Sequence, residues 1–198
     1  MKIKQHTLAL LVLLAFVGCT EELLDSNSSV NQYTNVSEGN YWIYEERVNG
    51  SSNVFYDTVR VLGQEEFNGK SYLVLTGHTI GTKYAERLLV RDSANCLVNK
   101  HGTILITTQT GNIPLQTINK SEYSISTSVV QEPEVDLGGI KYQDILNRKE
   151  KIVSHVATNQ SFVNDNQYAK GVGLIRATRI NWPTNEVVVR KLIKFGKE

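Results

Sequence analysis

An all-β domain, built as a single antiparallel, strongly curved or barrel-like sheet with at most a short helix, is the fold class this 198-residue chain predicts. Three observations predict it. Short apolar or aromatic segments recur about every ten residues from Val36 onward, separated by polar turn residues. Within the segments the apolar residues alternate with period two, as a half-buried strand requires. The last segments, Val187-Val188-Val189 and Leu192-Ile193, are apolar on both faces, which suits a central strand, or a sheet curled over its own core and spared an exposed edge.

The chain opens on Lys2 and Lys4, followed by an apolar run from Leu8 to Val17. That run suits a secretory signal and falls short of the about 20 residues that a bilayer span needs. Phe16-Val17-Gly18-Cys19 resembles the bacterial lipobox, with Phe16 where Leu or Val is usual. Gly18 is the small residue before the cut, and the Cys19 thiol can carry a diacylglycerol through a thioether. Residues 1–18 are therefore expected to be a signal peptide, residues 19–35 a lipidated Cys with a flexible tether, and residues 36–198 the β domain. Asp25-Ser26-Asn27-Ser28-Ser29 and Asn31-Gln32 are polar and aperiodic, in keeping with a tether. Glu21-Glu22 resemble the acidic export signal behind the lipidated Cys of surface lipoproteins of the Bacteroidetes; a solvated linker pair is the other reading.

Removing residues 1–18 takes Lys2 and Lys4 away and leaves 19 basic against 20 acidic residues, a net of −1. A balanced charge gives no electrostatic reason to expect nucleic acid or an anionic membrane face as partner. The membrane is reached through the acyl chains, each buried methylene contributing about 0.8 kcal/mol. With Cys19 modified, Cys96 has no intramolecular partner, and its setting in Asn95-Cys96-Leu97-Val98 is that of a small core hydrophobe.

Strands are expected at Tyr41–Tyr44, Val54–Leu62, Tyr72–Leu75, Tyr84–Arg91, Ile104–Ile106, Tyr123–Val130, Ile140–Ile145, Ile152–Ala157, Val172–Ile180 and Val187–Phe195. Asn68-Gly69 is a type I′ hairpin signal, since both central residues need positive φ. Asp92 to Asn95, Lys100 to Gly102 and Trp182 to Asn185 are further turns, and Glu132 to Asp136 reads as a charged loop around Pro133. A helical turn is conceivable only at Tyr142–Lys151. Gly171-Val172-Gly173 suits a bulge or sharp strand entry; the strand expected after it does not suit a phosphate-cradling loop, which needs a helix N-terminus.

Taken together, Gly39-Asn40-Tyr41-Trp42-Ile43-Tyr44, Phe67-Asn68-Gly69-Lys70-Ser71-Tyr72, Leu89-Val90-Arg91-Asp92-Ser93 and Tyr168-Ala169-Lys170-Gly171-Val172-Gly173 are similar to segments of small Bacteroidetes lipoproteins. The resemblance covers roughly residues 37 to 190. It implies an all-β lipoprotein of the cell envelope and transfers no catalytic residue; the expected location is the outer membrane, with the periplasmic or the cell-surface side left open.

No catalytic, metal or cofactor motif is present, so the expectation is a non-enzyme. His78, His101 and His155 lack ligand-spaced neighbours, and no Gly-x-Ser-x-Gly elbow occurs. Glu45-Glu46 and Glu65-Glu66 are adjacent in strands and so point to opposite faces. Trp42 and Trp182 are candidate ligand contacts, the second at a hairpin tip beside Pro183. Thr58 and Ser93 follow Asp57 and Asp92 and precede apolar residues, in the pattern of an O-glycosylation acceptor of the same phylum. Two functions fit: a non-catalytic binding or structural component facing an envelope protein or glycan, or a lipocalin-like carrier whose sheet encloses an apolar ligand. A carrier needs a continuous apolar cavity of several hundred Å³. An enzyme would require Glu or His side chains to converge in one cleft.

Overall fold

The computed structural model describes residues 30–78, 85–111, 115–156, 160–181 and 184–198. Among them, a short helix α1 (Asn31–Thr34) precedes twelve strands: β1 (Asn40–Val48), β2 (Val54–Phe67), β3 (Lys70–His78), β4 (Ala85–Ser93), β5 (Cys96–Asn99), β6 (Ile104–Thr107), β7 (Gln116–Asn119), β8 (Tyr123–Leu137), β9 (Ile140–Ser154), β10 (Ser161–Ala169), β11 (Gly173–Asn181) and β12 (Glu186–Lys197). All belong to one antiparallel sheet of order β6-β5-β4-β3-β2-β1-β12-β11-β10-β9-β8-β7.

The order is two meanders joined at β1 and β12, the first and last strands of the chain. Strands β6 and β7 are therefore consecutive in sequence yet lie at opposite edges. A connection of a few residues spans at most about 3.3–3.6 Å per residue, so the sheet must curl to bring those edges near each other. The connection runs along β8, where the Gly111 amide donates to the Val129 carbonyl at 3.1 Å and the Leu115 amide to Thr127 at 2.7 Å. The curl wraps one core. Val61, Leu73, Val90, Leu97 and Ile106 from the first meander pack with Val129 and Leu146 from the second, over Trp42 and Tyr44 of β1. The fold class read from the sequence is the one observed.

The hairpins obey turn chemistry. Asn68 and Gly69 have φ of 52° and 70°, as the type I′ signal required. Glu132 to Asp136 is strand rather than loop, and Tyr142–Lys151 is strand rather than helix: β8 and β9 form a long hairpin closed by Gly138-Gly139. Pro133 is accommodated because β8 has no outer neighbour there; β7 pairs only as far as Thr127. Opposite it, Asp144 has φ of 51°, and the Cα pairing breaks between Glu132↔Ile145 and Glu134↔Gln143. Beyond that break, Val135, Leu137 and Tyr142 pack on Ile145, Ala169 and Ile175.

Part of the stretch expected to be tether is packed into the domain. Val30 is fully buried, and Asn31, Thr34 and Val36 are buried with it. Polar residues order here because their groups are spoken for: the Asn31 carboxamide oxygen accepts from the Val36 amide at 2.9 Å, and Asn40 Nδ2 donates to the Asn35 carbonyl at 2.8 Å. The turn between β10 and β11 docks on this segment, with the Gly171 amide donating to the Gln32 carbonyl at 2.6 Å. Gly173 is dictated by that docking. Its φ is +106°, and a Cβ would lie 2.8 Å from Trp42 Nε1 and 2.9 Å from the Thr34 carbonyl oxygen.

Candidate functional site

The pleat places charge on the concave face. Trp42, Tyr44 and Glu46 alternate inward along β1, as do Val188 and Arg190 on β12 and Asp57, Val59 and Val61 on β2. The register sets Arg190 directly opposite Glu46, and Asp57 opposite Tyr44 one inward position further on. Burial makes this arrangement costly unless the charges meet: Arg190 is 5% exposed, Glu46 7% and Asp57 8%.

They do meet. Arg190 Nε donates to Glu46 Oε1 at 2.5 Å, and Nη2 contacts the same carboxylate. Nη2 also lies 3.2 Å from Asp57 Oδ2 and donates to the His78 carbonyl at 2.7 Å. The guanidinium sits 5.2 Å from the centroid of the Tyr44 ring. Burial pushes the Tyr44 hydroxyl well above the ordinary tyrosine range, with Arg190 pulling weakly the other way. That hydroxyl is a donor, to the Leu174 carbonyl at 3.0 Å.

His78 closes the cluster from the end of β3. Its amide donates to Asp57 Oδ2 at 3.0 Å, and its Nδ1 lies 2.7 Å from Asp57 Oδ1. The residue is thus held at its amide, its carbonyl and one ring nitrogen. A carboxylate only accepts, so Nδ1 carries the proton and Nε2 of the neutral ring carries the lone pair. The preceding Gly77 lets the strands close up here, since a Cβ on it would lie 2.7 Å from Val59 Cγ2.

A recess of about 180 Å³ opens beside this cluster. Val59, Leu75 and Leu88 form its apolar wall; His78, Glu86 and Arg190 supply the polar side chains. Chemically, the recess offers acceptors on an apolar wall, with its guanidinium already facing two carboxylates. No group of three or more metal-ligating side chains occurs among the described residues.

A second polar group occupies the opposite face of β8 to β10. Glu132 accepts from Asn147 Nδ2 at 2.9 Å and Gln167 Nε2 at 3.1 Å, with Lys149 Nζ at 3.6 Å. Nearby Asp165 titrates above the usual carboxylate range because burial disfavours its charge; Arg176 and Lys149 only partly offset this, and Glu132 adds to it.

The residues singled out in the sequence are scattered. Trp42 is 3% exposed and its indole N–H donates to the Val172 carbonyl at 2.6 Å, so it is a core residue with no ring face left for a ligand. Trp182, Gly18 and Cys19 lie outside the described residues. Thr58 is half-buried on the outward face of β2, opposite Ile43, and Ser93 ends β4 opposite Cys96. His101 and His155 are exposed, and Cys96 is a half-buried free thiol. The two-face argument for Glu45-Glu46 holds: Glu45 pairs outward with Arg47, Glu46 inward with Arg190. Asp57, His78 and Arg190 were not foreseen as a unit. The available signal was parity, since Glu46 and Arg190 are opposite charges at positions where the pleat demands apolar side chains.

No protein-family model matches the chain, and no curated protein sequence matches it. Two solved structures are similar in shape. One is a proposed exported protein with a YmcC-like fold from Bacteroides fragilis NCTC 9343, 12% identical, with a TM-score of 0.47 over 83% of this chain and 99% of that one. The other is a proposed lipoprotein from Parabacteroides distasonis ATCC 8503, 9% identical, with a TM-score of 0.44 over 83% of this chain and 98% of that one.

Proposed function

We propose that this chain is a lipid-anchored lipoprotein of the outer membrane whose β domain is a non-catalytic binding module, taking its partner at the rim of the curled sheet. The observation that carries the binding reading is the way the described residues fill the concave face. A side chain lining a void large enough for water would be exposed to that void. Val61, Leu73, Val90, Leu97, Ile106, Val129 and Leu146 are instead at most 6% exposed. This packing argues against the carrier alternative, and it leaves the rim recess as the place where polar groups and an apolar wall converge. The anchor reading rests on Phe16-Val17-Gly18-Cys19 and the apolar run before it.

The anchor is tested by expressing the full chain in a host that lipidates exported proteins. The mature protein should begin at Cys19, carry the mass of its acyl chains and partition into the detergent phase, and Cys19→Ser should abolish all three. A detergent-insensitive protein of unmodified mass would overturn the anchor.

The Asp57–His78 pair favours a second reading, acid–base catalysis at Nε2, because an oriented imidazole beside a recess is also how enzymes move protons. Turnover of a substrate abolished by His78→Gln would establish it in place of simple binding.

A further inference from the structure

We infer that the rim recess binds a primary ammonium on a short aliphatic stem; this rests on the recess being the binding site of the domain. Three features of the recess point to that ligand. The first is charge. Glu86 is the carboxylate among the lining residues, and the lining Arg190 is paired with the buried Glu46 and Asp57, so the four groups carry a formal −2 beside a neutral imidazole. Arg190 is occupied by Glu46 at 2.5 Å and by Asp57 at 3.2 Å, so it does not recruit an anion.

The second is the hydrogen-bonding inventory. Apart from Arg190, the polar side chains at the recess are the Glu86 carboxylate and the His78 ring, since Thr76 stands on the outward face opposite Arg60 and Arg87. With Nδ1 committed to Asp57, the neutral ring accepts at Nε2, as the carboxylate does. An ammonium presents only N–H donors and no acceptor, so it can meet both.

The third is size. A recess of about 180 Å³ has room for a short stem. The wall of Val59, Leu75 and Leu88 is suited to that stem. A lysyl side chain of a partner protein and a free alkylamine share this chemistry.

The test titrates the purified mature chain, in detergent micelles, with n-butylammonium, Nα-acetyl-lysine N-methylamide, n-butanol and butyrate, followed by calorimetry and ligand-detected NMR. The expected result is saturable binding of the two ammonium compounds and none of butyrate. Glu86→Gln should weaken ammonium binding at least tenfold, and Glu134→Gln, on the distant β8–β9 hairpin, should leave it unchanged. Glu86 is exposed, so its replacement tests the site without threatening the fold. Tenfold tighter binding of the lysine derivative supports the assignment with a protein as source; the reverse supports it with a free amine. Preference for butanol or butyrate overturns the ammonium assignment while leaving the domain a binding module, and ammonium binding indifferent to Glu86→Gln overturns the recess as the ammonium site. Binding of none of the four overturns both.

Discussion

Replacing Arg190 with methionine keeps most of the side-chain volume and removes the guanidinium that lies between Glu46 and Asp57. Both carboxylates are less than 10% exposed, so they lose their counter-charge without gaining water. Asp57 Oδ2 lies 3.2 Å from Nη2, and at an effective dielectric of about 20 a pair at that distance interacts by about 5 kcal/mol. Breaking one partner out of a buried ion pair costs about 3–5 kcal/mol by measurement on other proteins. The two routes agree on about 4 kcal/mol for Arg190→Met. At about 2–4 °C per kcal/mol for a domain of this size, the melting temperature should fall by about 8–16 °C. Urea unfolding at 25 °C, followed by circular dichroism and by the fluorescence of core Trp42, measures the free energy. The cause is separated from lost packing by adding Glu46→Gln and Asp57→Asn to the same protein. If uncompensated charge is the penalty, the triple variant regains at least about half of the loss. A loss below about 1 kcal/mol for Arg190→Met, or a triple variant no more stable than the single one, would refute the reasoning.

Other substitutions probe the parts that hold the sheet in place. Gly173→Ala should cost about 3 kcal/mol by forcing Trp42 and Thr34 apart, whereas Gly171→Ala, with φ of +75° and nothing within 4 Å of the new methyl, should cost only about 1 kcal/mol; near-ultraviolet dichroism of Trp42 should change in the first alone. Asp165 has a raised folded-state pKa, so its stabilising effect is complete below the unfolded value of 3.8 and is lost as pH rises through the folded value. Asp165→Asn should therefore be more stable than the parent at pH 7 and indistinguishable from it near pH 3, by thermal unfolding across that range. Ala94 and Asn95 form the β4–β5 turn with φ of 50° and 66°, a conformation that asparagine tolerates better than alanine. Ala94→Asn should raise stability by roughly 0.5–1 kcal/mol in the same urea assay.

What could be read from the residues divides along physical lines. Inward parity at Trp42-Tyr44 and Val59-Val61, and the Asn68-Gly69 turn, are local, and they carried the all-β reading without help from the tertiary structure. Strand β10 escaped notice because its buried positions include Asn164 and Gln167, whose burial depends on partners in other strands. The second half of β8 was obscured by Pro133 and its acidic neighbours, which a strand tolerates only where it lacks an outer partner. Val30 to Thr34 looked like tether because its burial depends on the β10–β11 turn, some 140 residues downstream. The recess was hidden for the same reason. Asp57 and His78 are 21 residues apart, and Arg190 and His78 are 112 apart, so no spacing rule joins them; only the curl and register of the sheet do.

Native mass spectrometry of the protein purified from envelopes in mild detergent tests most directly the proposal of an anchored domain with a filled interior. It should show a chain beginning at Cys19 with covalent acyl mass and no further apolar molecule bound to the domain. A chain lacking the acyl mass, or one that releases a stoichiometric lipid on activation, would contradict it.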